Sequence, residues 1–332
     1  MNGPSRKSRA AIGAALLALA CALPALACAL PGVASQLPTI RPGDLPAPIA
    51  LRTLAVLDRD ALGRAGILAP ERLAYGGDGT LYVLDAESRR VVALDPRGVE
   101  RFAAGGYGSD ETSLTLPVDL ALDRRGSLLV LDRARGAIVA YDAAGRFLTA
   151  RTLEGEALDE ARATGARLLG DPFGNLWLLS PVARDLLPLD ERLRPARVSR
   201  YLGPPDSLGS ATLAAFLPSG EAWVLDAAGG ALRRFAADGR HARSVKLPEG
   251  GGRAPCDLAV DASGTLYVGD TSGQRILALD REGATVLERV LGGPSSPWRP
   301  TALAAGPGDL LAVADAARCE IQILKIQREE AP

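Results

Sequence analysis

Apolar residues along this chain fall in short clusters, most of them four or five residues long, each closed by a polar residue and followed by a turn. One kind of cluster recurs six times. It reads Gly79-Thr80-Leu81-Tyr82-Val83-Leu84-Asp85, then Gly126-Ser127-Leu128-Leu129-Val130-Leu131-Asp132, then Gly174-Asn175-Leu176-Trp177-Leu178-Leu179-Ser180. It continues as Gly220-Glu221-Ala222-Trp223-Val224-Leu225-Asp226, Gly264-Thr265-Leu266-Tyr267-Val268-Gly269-Asp270 and Asp309-Leu310-Leu311-Ala312-Val313-Ala314-Asp315, the last with its glycine displaced to Gly308. Measured on the final residue, the steps are 47, 48, 46, 44 and 45 residues. Near-equal spacing of this kind marks a repeat architecture, and runs this short between Gly-centred turns predict strands rather than helices.

The match extends beyond the central strand. Pro70, Pro117, Pro255 and Pro300 each stand fifteen residues before the terminal Asp, and short apolar runs such as Asp119-Leu120-Ala121-Leu122-Asp123 follow them. A third strand is predicted at Arg90-Val91-Val92-Ala93-Leu94-Asp95 and at Arg275-Ile276-Leu277-Ala278-Leu279-Asp280. A turn at Gly98, Gly145, Gly239 or Gly283 then introduces a more variable fourth. Four strands per unit of this length are the pattern of a propeller blade. A lone blade leaves two apolar faces wet, so the units are expected to stack around a ring. The fold class is therefore all-β: a six-bladed β-propeller of four-stranded antiparallel blades. The sixth unit runs out after its third strand, Glu320 to Lys325, while Ile49 to Leu57 is an orphan strand before the first unit. Joining them predicts an N-terminal strand that completes the last blade and removes an exposed edge.

The combination Pro-x-x-Leu-Ala-x-Asp, Gly-x-Leu-Tyr-Val-x-Asp, Arg-Ile or Arg-Val and x-x-Asp-x-x-Gly resembles the NHL repeat. Pro255 to Gly283 matches it best, the first two units match well, and the third and fourth match loosely. The family arginine, five positions after the strand Asp, is retained at Arg90 and Arg275. TolB-like and gluconolactonase-like propellers are the related alternative. The resemblance covers roughly residues 50 to 325, within a propeller domain expected over 49–328.

Ahead of that domain, Arg6, Lys7 and Arg9 precede an Ala/Leu-rich run from Ala10 to Leu23, the pattern of an export signal within residues 1–27. Two exits are open. Ala18-Leu19-Ala20 before Cys21 resembles a lipoprotein box, which would lipidate Cys21 and anchor the protein to a membrane. Ala25-Leu26-Ala27 is an ordinary A-x-A cleavage site. Either places the protein outside the cytoplasm, periplasmic or extracellular, with no transmembrane helix expected. Residues 28–48 read as a Pro-rich spacer.

Composition excludes more than it suggests. The formal charge is −1, and loss of the leader removes three basic residues, so no nucleic-acid partner is expected. His241 is the only histidine and is placed in the turn after Gly239, too little for a multi-His zinc site. Gly105-Gly106-Tyr107-Gly108 and Gly250-Gly251-Gly252 lack a phosphate-loop Lys and are placed between blades. The repeated Asp85, Asp132, Asp226, Asp270 and Asp315 are assigned to turns and inter-blade hydrogen bonds, because a residue used once per blade serves the repeat. The acidic insert Leu153 to Thr164 has helical spacing.

The informative positions are those that differ at equivalent places. Two residues after the repeat proline, beside the channel mouth, the units carry Arg72, Asp119, Arg167, Leu213, Asp257 and Ala302. Arg72, Asp119, Arg167 and Asp257 are the candidate binding residues at that rim. The first functional reading is a non-catalytic scaffold presenting one propeller face to a protein, peptide or glycan, with no cofactor. The alternative, from the gluconolactonase resemblance, is a lactonase- or esterase-like hydrolase whose channel ion, such as calcium, would be held partly by Asp119 and Asp257. The mature chain's only asparagine, Asn175, lies in a turn, which disfavours that ion site. Cys256 and Cys319 occupy one face of adjacent blades and form a candidate disulfide.

Overall fold

The computed structural model describes residues 49–154, 159, 161–194, 211–227, 230–248, 255–293 and 295–328. The export signal, Cys21, the Pro-rich spacer and the Gly250 to Gly252 run lie outside them. Six antiparallel sheets form the blades of a β-propeller, each read outward from the axis. The first blade comprises Pro70–Tyr75, Leu81–Asp85, Arg90–Leu94 and Glu100–Gly105, and the second Pro117–Leu122, Leu128–Asp132, Ala137–Tyr141 and Phe147–Thr152. In the third, Arg167–Gly170, Leu176–Ser180 and Asp185–Leu189 are described. The fourth contains Ala211–Phe216, Ala222–Asp226, Ala231–Phe235 and His241–Lys246, and the fifth Pro255–Val260, Leu266–Asp270, Arg275–Leu279 and Thr285–Val290.

The sixth blade closes the ring as its missing strand predicts. Ala302–Gly306, Leu310–Asp315 and Glu320–Arg328 are followed in the sheet by Ile49–Leu57, paired from Ile49 opposite Arg328 to Leu57 opposite Ile321. A short helix, Arg59–Arg64, leaves this strand with Asp58 as its N-cap, Asp58 Oδ1 accepting from the Ala61 N–H at 2.8 Å. Its Leu62 is buried in the seam between the last and first blades.

Burial explains the composition of each strand. The second strands Leu81–Asp85, Leu128–Asp132, Ala222–Asp226 and Leu266–Asp270 are buried at every position, because a neighbouring blade covers each face. The outer strand His241–Lys246 is exposed at all but one position and reads polar. Among the described residues six apolar clusters result, each straddling one seam. Leu84, Val91, Leu128 and Val130 fill the seam between the first and second blades, and Tyr267, Ile276, Leu311 and Val313 that between the fifth and sixth. Few aromatics are needed, since Leu, Val, Ile and Ala fill narrow gaps between flat sheets.

The strand-terminal carboxylates act as inter-strand staples. Asp85 accepts from the Leu68 and Ala69 N–H groups before the inner strand and from Glu87 and Ser88 in the following turn. Asp132 repeats this with Thr115, Leu116 and Arg135, and Asp315 with Arg299 and Arg318. All three are 1% exposed or less. His241 begins an outer strand instead of sitting in a turn, because here, as at Glu100, Phe147 and Thr285, the strand starts two residues after the turn glycine. Its Nε2 lies 2.9 Å from Ser244 Oγ. In the acidic insert, Asp159, Ala161 and Arg162 have helical backbone, and Ala161 is buried in the seam between blades two and three. Among the described residues no helix is long and apolar enough to cross a membrane.

Candidate functional site

Arg72, Asp119, Arg167, Leu213, Asp257 and Ala302 occupy one structural column. Each pairs with the residue just before the terminal residue of its second strand: Leu84, Leu131, Leu179, Leu225, Gly269 and Ala314. In the first, second, fourth and fifth blades the register shifts immediately before this position. Such a bulge turns the side chain out of the regular alternation. Of the four charged members, Arg72 and Arg167 meet at Asp119, while Asp257 stands in the equivalent position of the fifth blade.

Asp119 is the centre of the group. Its Oδ2 accepts from the Leu168 N–H of the next blade at 2.8 Å, while its Oδ1 faces Arg72 Nε at 3.8 Å and Arg167 Nη1 at 3.9 Å. Those separations are ion pairing without direct hydrogen bonds. Burial pushes the Asp119 carboxyl above its usual range, and the charges of Arg167 and Arg72 only partly oppose this. Arg167 also reaches across the mouth to the Cys256 carbonyl at 3.4 Å, and Arg72 Nη1 donates to the Glu71 carbonyl at 2.6 Å. Asp257 repeats the backbone role on the opposite side, its Oδ2 accepting from the Leu303 N–H at 2.9 Å.

A divalent cation does not fit this donor set at Asp119. One carboxylate oxygen is bound to a backbone N–H, and the other faces two guanidinium groups that would repel the ion. Among the described residues no group of three or more His, Cys, Asp or Glu side chains converges as a metal site.

The candidate disulfide is not formed; both cysteines are free thiols. Cys319 is buried in the core between blades six and one, with its Sγ 3.4 Å from the Ile67 carbonyl oxygen. Cys256 packs on the other flank of the sixth blade, in the core between blades five and six, so a sheet separates the two. Burial pushes the Cys256 thiol up to about 12.

Two features of the mouth face carry no motif in the sequence. Leu68, Tyr107, Leu116 and Val182 are exposed there, over the first three blades. Their placement follows from neighbouring backbone bonds: Leu68 lies beside Asp85, Tyr107 OH donates to the Glu87 carbonyl, and Leu116 accepts from the Arg133 N–H. On the other side, Glu71, Arg72, Cys256, Thr271, Thr301 and Ala316 line a recess of about 330 Å³. The column directly after the strand-terminal residue (Ala86, Arg133, Pro181, Ala227, Thr271, Ala316) would have pointed to this ring.

Comparison with known proteins bears on the fold. A family model described as strictosidine synthase-like, N-terminal, matches residues 235–279. No curated protein matches the chain. Among solved structures, virginiamycin B lyase from Staphylococcus aureus superimposes with a TM-score of 0.59 at 12% identity, covering 83% of this chain and 99% of the other. A gluconolactonase from Xanthomonas campestris gives 0.53 at 19% identity, covering 85% and 97%. Regucalcin from Agrobacterium tumefaciens, a calcium-binding protein, gives 0.55 at 15% identity, covering 85% and 95%. At these identities the likeness establishes the propeller fold alone.

Proposed function

We propose that this protein is an exported, NHL-like propeller that binds a protein or peptide partner on its channel-mouth face without catalysing a reaction. The observation that carries the reading is that exposed Leu68, Tyr107, Leu116 and Val182 stand in loops at the blade ends that also begin the inner strands of Arg72 and Arg167. Apolar side chains and arginine in one place are the composition of protein interfaces. Burial of Leu68 and Val182 against a partner would remove apolar surface at about 25 cal/mol per Å².

A second reading, a lactonase-type hydrolase, draws on the folds of the gluconolactonase and regucalcin structures. The engaged state of Asp119 weighs against it. One experiment separates the two: partner capture from envelope extract by the mature domain and by a Leu68→Glu/Val182→Glu variant, alongside calcium titration of the melting temperature. A partner retained by the wild type and lost by the variant supports docking. A saturable calcium-induced rise abolished by Asp257→Ala, with no variant-sensitive partner, would replace it with the hydrolase reading.

A further inference from the structure

The mouth is filled unevenly. Blades one and three place guanidinium groups at its rim on either side of Asp119, whereas blades five and six place Cys256, Thr271, Thr301 and Ala316 there, and their small size leaves the 330 Å³ recess. Its walls differ in hydrogen-bonding sense. Thr271 Oγ1 donates its proton to the Pro300 carbonyl at 2.7 Å, and Thr301 Oγ1 lies 3.2 Å from the Ala314 carbonyl while accepting from the Ala316 N–H. With their protons directed into the protein, both hydroxyls offer the recess lone pairs. Glu71 adds an exposed carboxylate. Donors come from Arg72, which also lines the recess; its Nε faces Asp119 and its Nη1 donates to the Glu71 carbonyl, leaving Nη2 for a ligand.

We propose that this recess binds a small zwitterion of the amino-acid type, its carboxylate held by Arg72 and its ammonium facing Glu71 and Thr271 Oγ1. The proposal rests on reading the mouth as the binding face and names a small ligand for its other half. A guanidinium and a set of acceptors lining one recess match a ligand carrying both charges. A simple carboxylate would leave Glu71 facing negative charge, and a simple amine would meet Arg72, so each singly charged relative is disfavoured. The volume lies at the small end of ligand pockets and suits a free amino acid.

Cys256 lines the recess and supplies the reporter. Because burial raises its thiol to about 12, its reaction with excess methyl methanethiosulfonate is slow and is followed by peptide mass over a long time course, with the buried Cys319 as internal control. Glycine, serine and glutamine would serve as zwitterionic probes, acetate and ethanolamine as singly charged ones. A zwitterion present at about ten times its Kd should slow Cys256 modification about tenfold by mass action, with little effect from acetate or ethanolamine. Arg72→Gln and Glu71→Gln should each abolish the protection, and Arg72→Lys should retain part of it. The exposed Glu71 site makes its variant informative even if Arg72→Gln disturbs folding. Equal protection by all probes, no protection by any zwitterion, or protection unchanged in Glu71→Gln would overturn the proposal. A partner lost on Leu68→Glu/Val182→Glu without zwitterion protection would end this proposal alone. Zwitterion protection without such a partner would end only the docking reading.

Discussion

Asp119 and Asp257 stand at the same register position, three blades apart on opposite sides of the ring, and do the same backbone work. Each accepts a hydrogen bond from an inner-strand N–H of the following blade, Leu168 in one case and Leu303 in the other. Their surroundings differ. Arg72 and Arg167 flank Asp119, whereas Leu213 and Ala302 occupy the flanking positions beside Asp257. A repeat thus keeps a structural contact in two places while its neighbours turn one into an ionic cluster and leave the other beside open space.

That difference sets the largest expected effect. Asp119→Ala removes one backbone hydrogen bond and also strands two guanidinium groups that are only 22% and 13% exposed. Losing a hydrogen bond to a charged acceptor together with these looser ion-pair contacts costs about 2–3 kcal/mol. Asp257→Ala removes the equivalent backbone bond without stranding a neighbouring cation in its column, and an unmade hydrogen bond of that kind costs about 1–2 kcal/mol. Urea denaturation of both variants checks the ratio. Equal losses would mean that the arginines contribute nothing through Asp119.

The pH dependence sharpens the same contrast. With its carboxyl raised by burial, Asp119 binds a proton more tightly in the folded than in the unfolded protein. Stability from this group is therefore highest below the ordinary carboxylate value of 3.8 and falls as pH rises from there through the folded-state value, then levels off. The stability difference between the wild type and Asp119→Asn should decline with rising pH across that window. A difference that grows with pH would show that the arginines outweigh burial.

The blades and their closure were legible because strand spacing and apolar pattern fix backbone pairing. The pairing of Ile49 to Leu57 with the last unit follows from counting strands, and the rim column follows from counting residues after each proline. What was not legible depends on radial distance and side-chain reach, which a residue count does not encode. Cys256 and Cys319 share a face yet lie on opposite flanks of one sheet. Arg167 crosses the mouth to the Cys256 carbonyl, a contact between residues 89 apart that no spacing suggests. The recess is invisible for a related reason: it exists because Cys256, Thr271, Thr301 and Ala316 are small, and small residues carry no motif.

The finest test rebuilds one side of the mouth in the image of the other. Leu213 precedes Asp257 by one blade as Arg72 precedes Asp119, so Leu213→Arg places a guanidinium in the position equivalent to Arg72. Leu213 is 4% exposed and packs with Leu225 and Leu258, so the substitution alone is destabilising. A double-mutant cycle with Asp257→Ala isolates the pair from that packing loss. If position in the column suffices to make the ion pair, Leu213→Arg will cost about 1 kcal/mol less with Asp257 present than with Ala in its place. Zero coupling in urea melts would mean that Arg72 and Asp119 depend on more than their register, with Arg167, reaching in from the third blade, as the side chain that draws the cluster together.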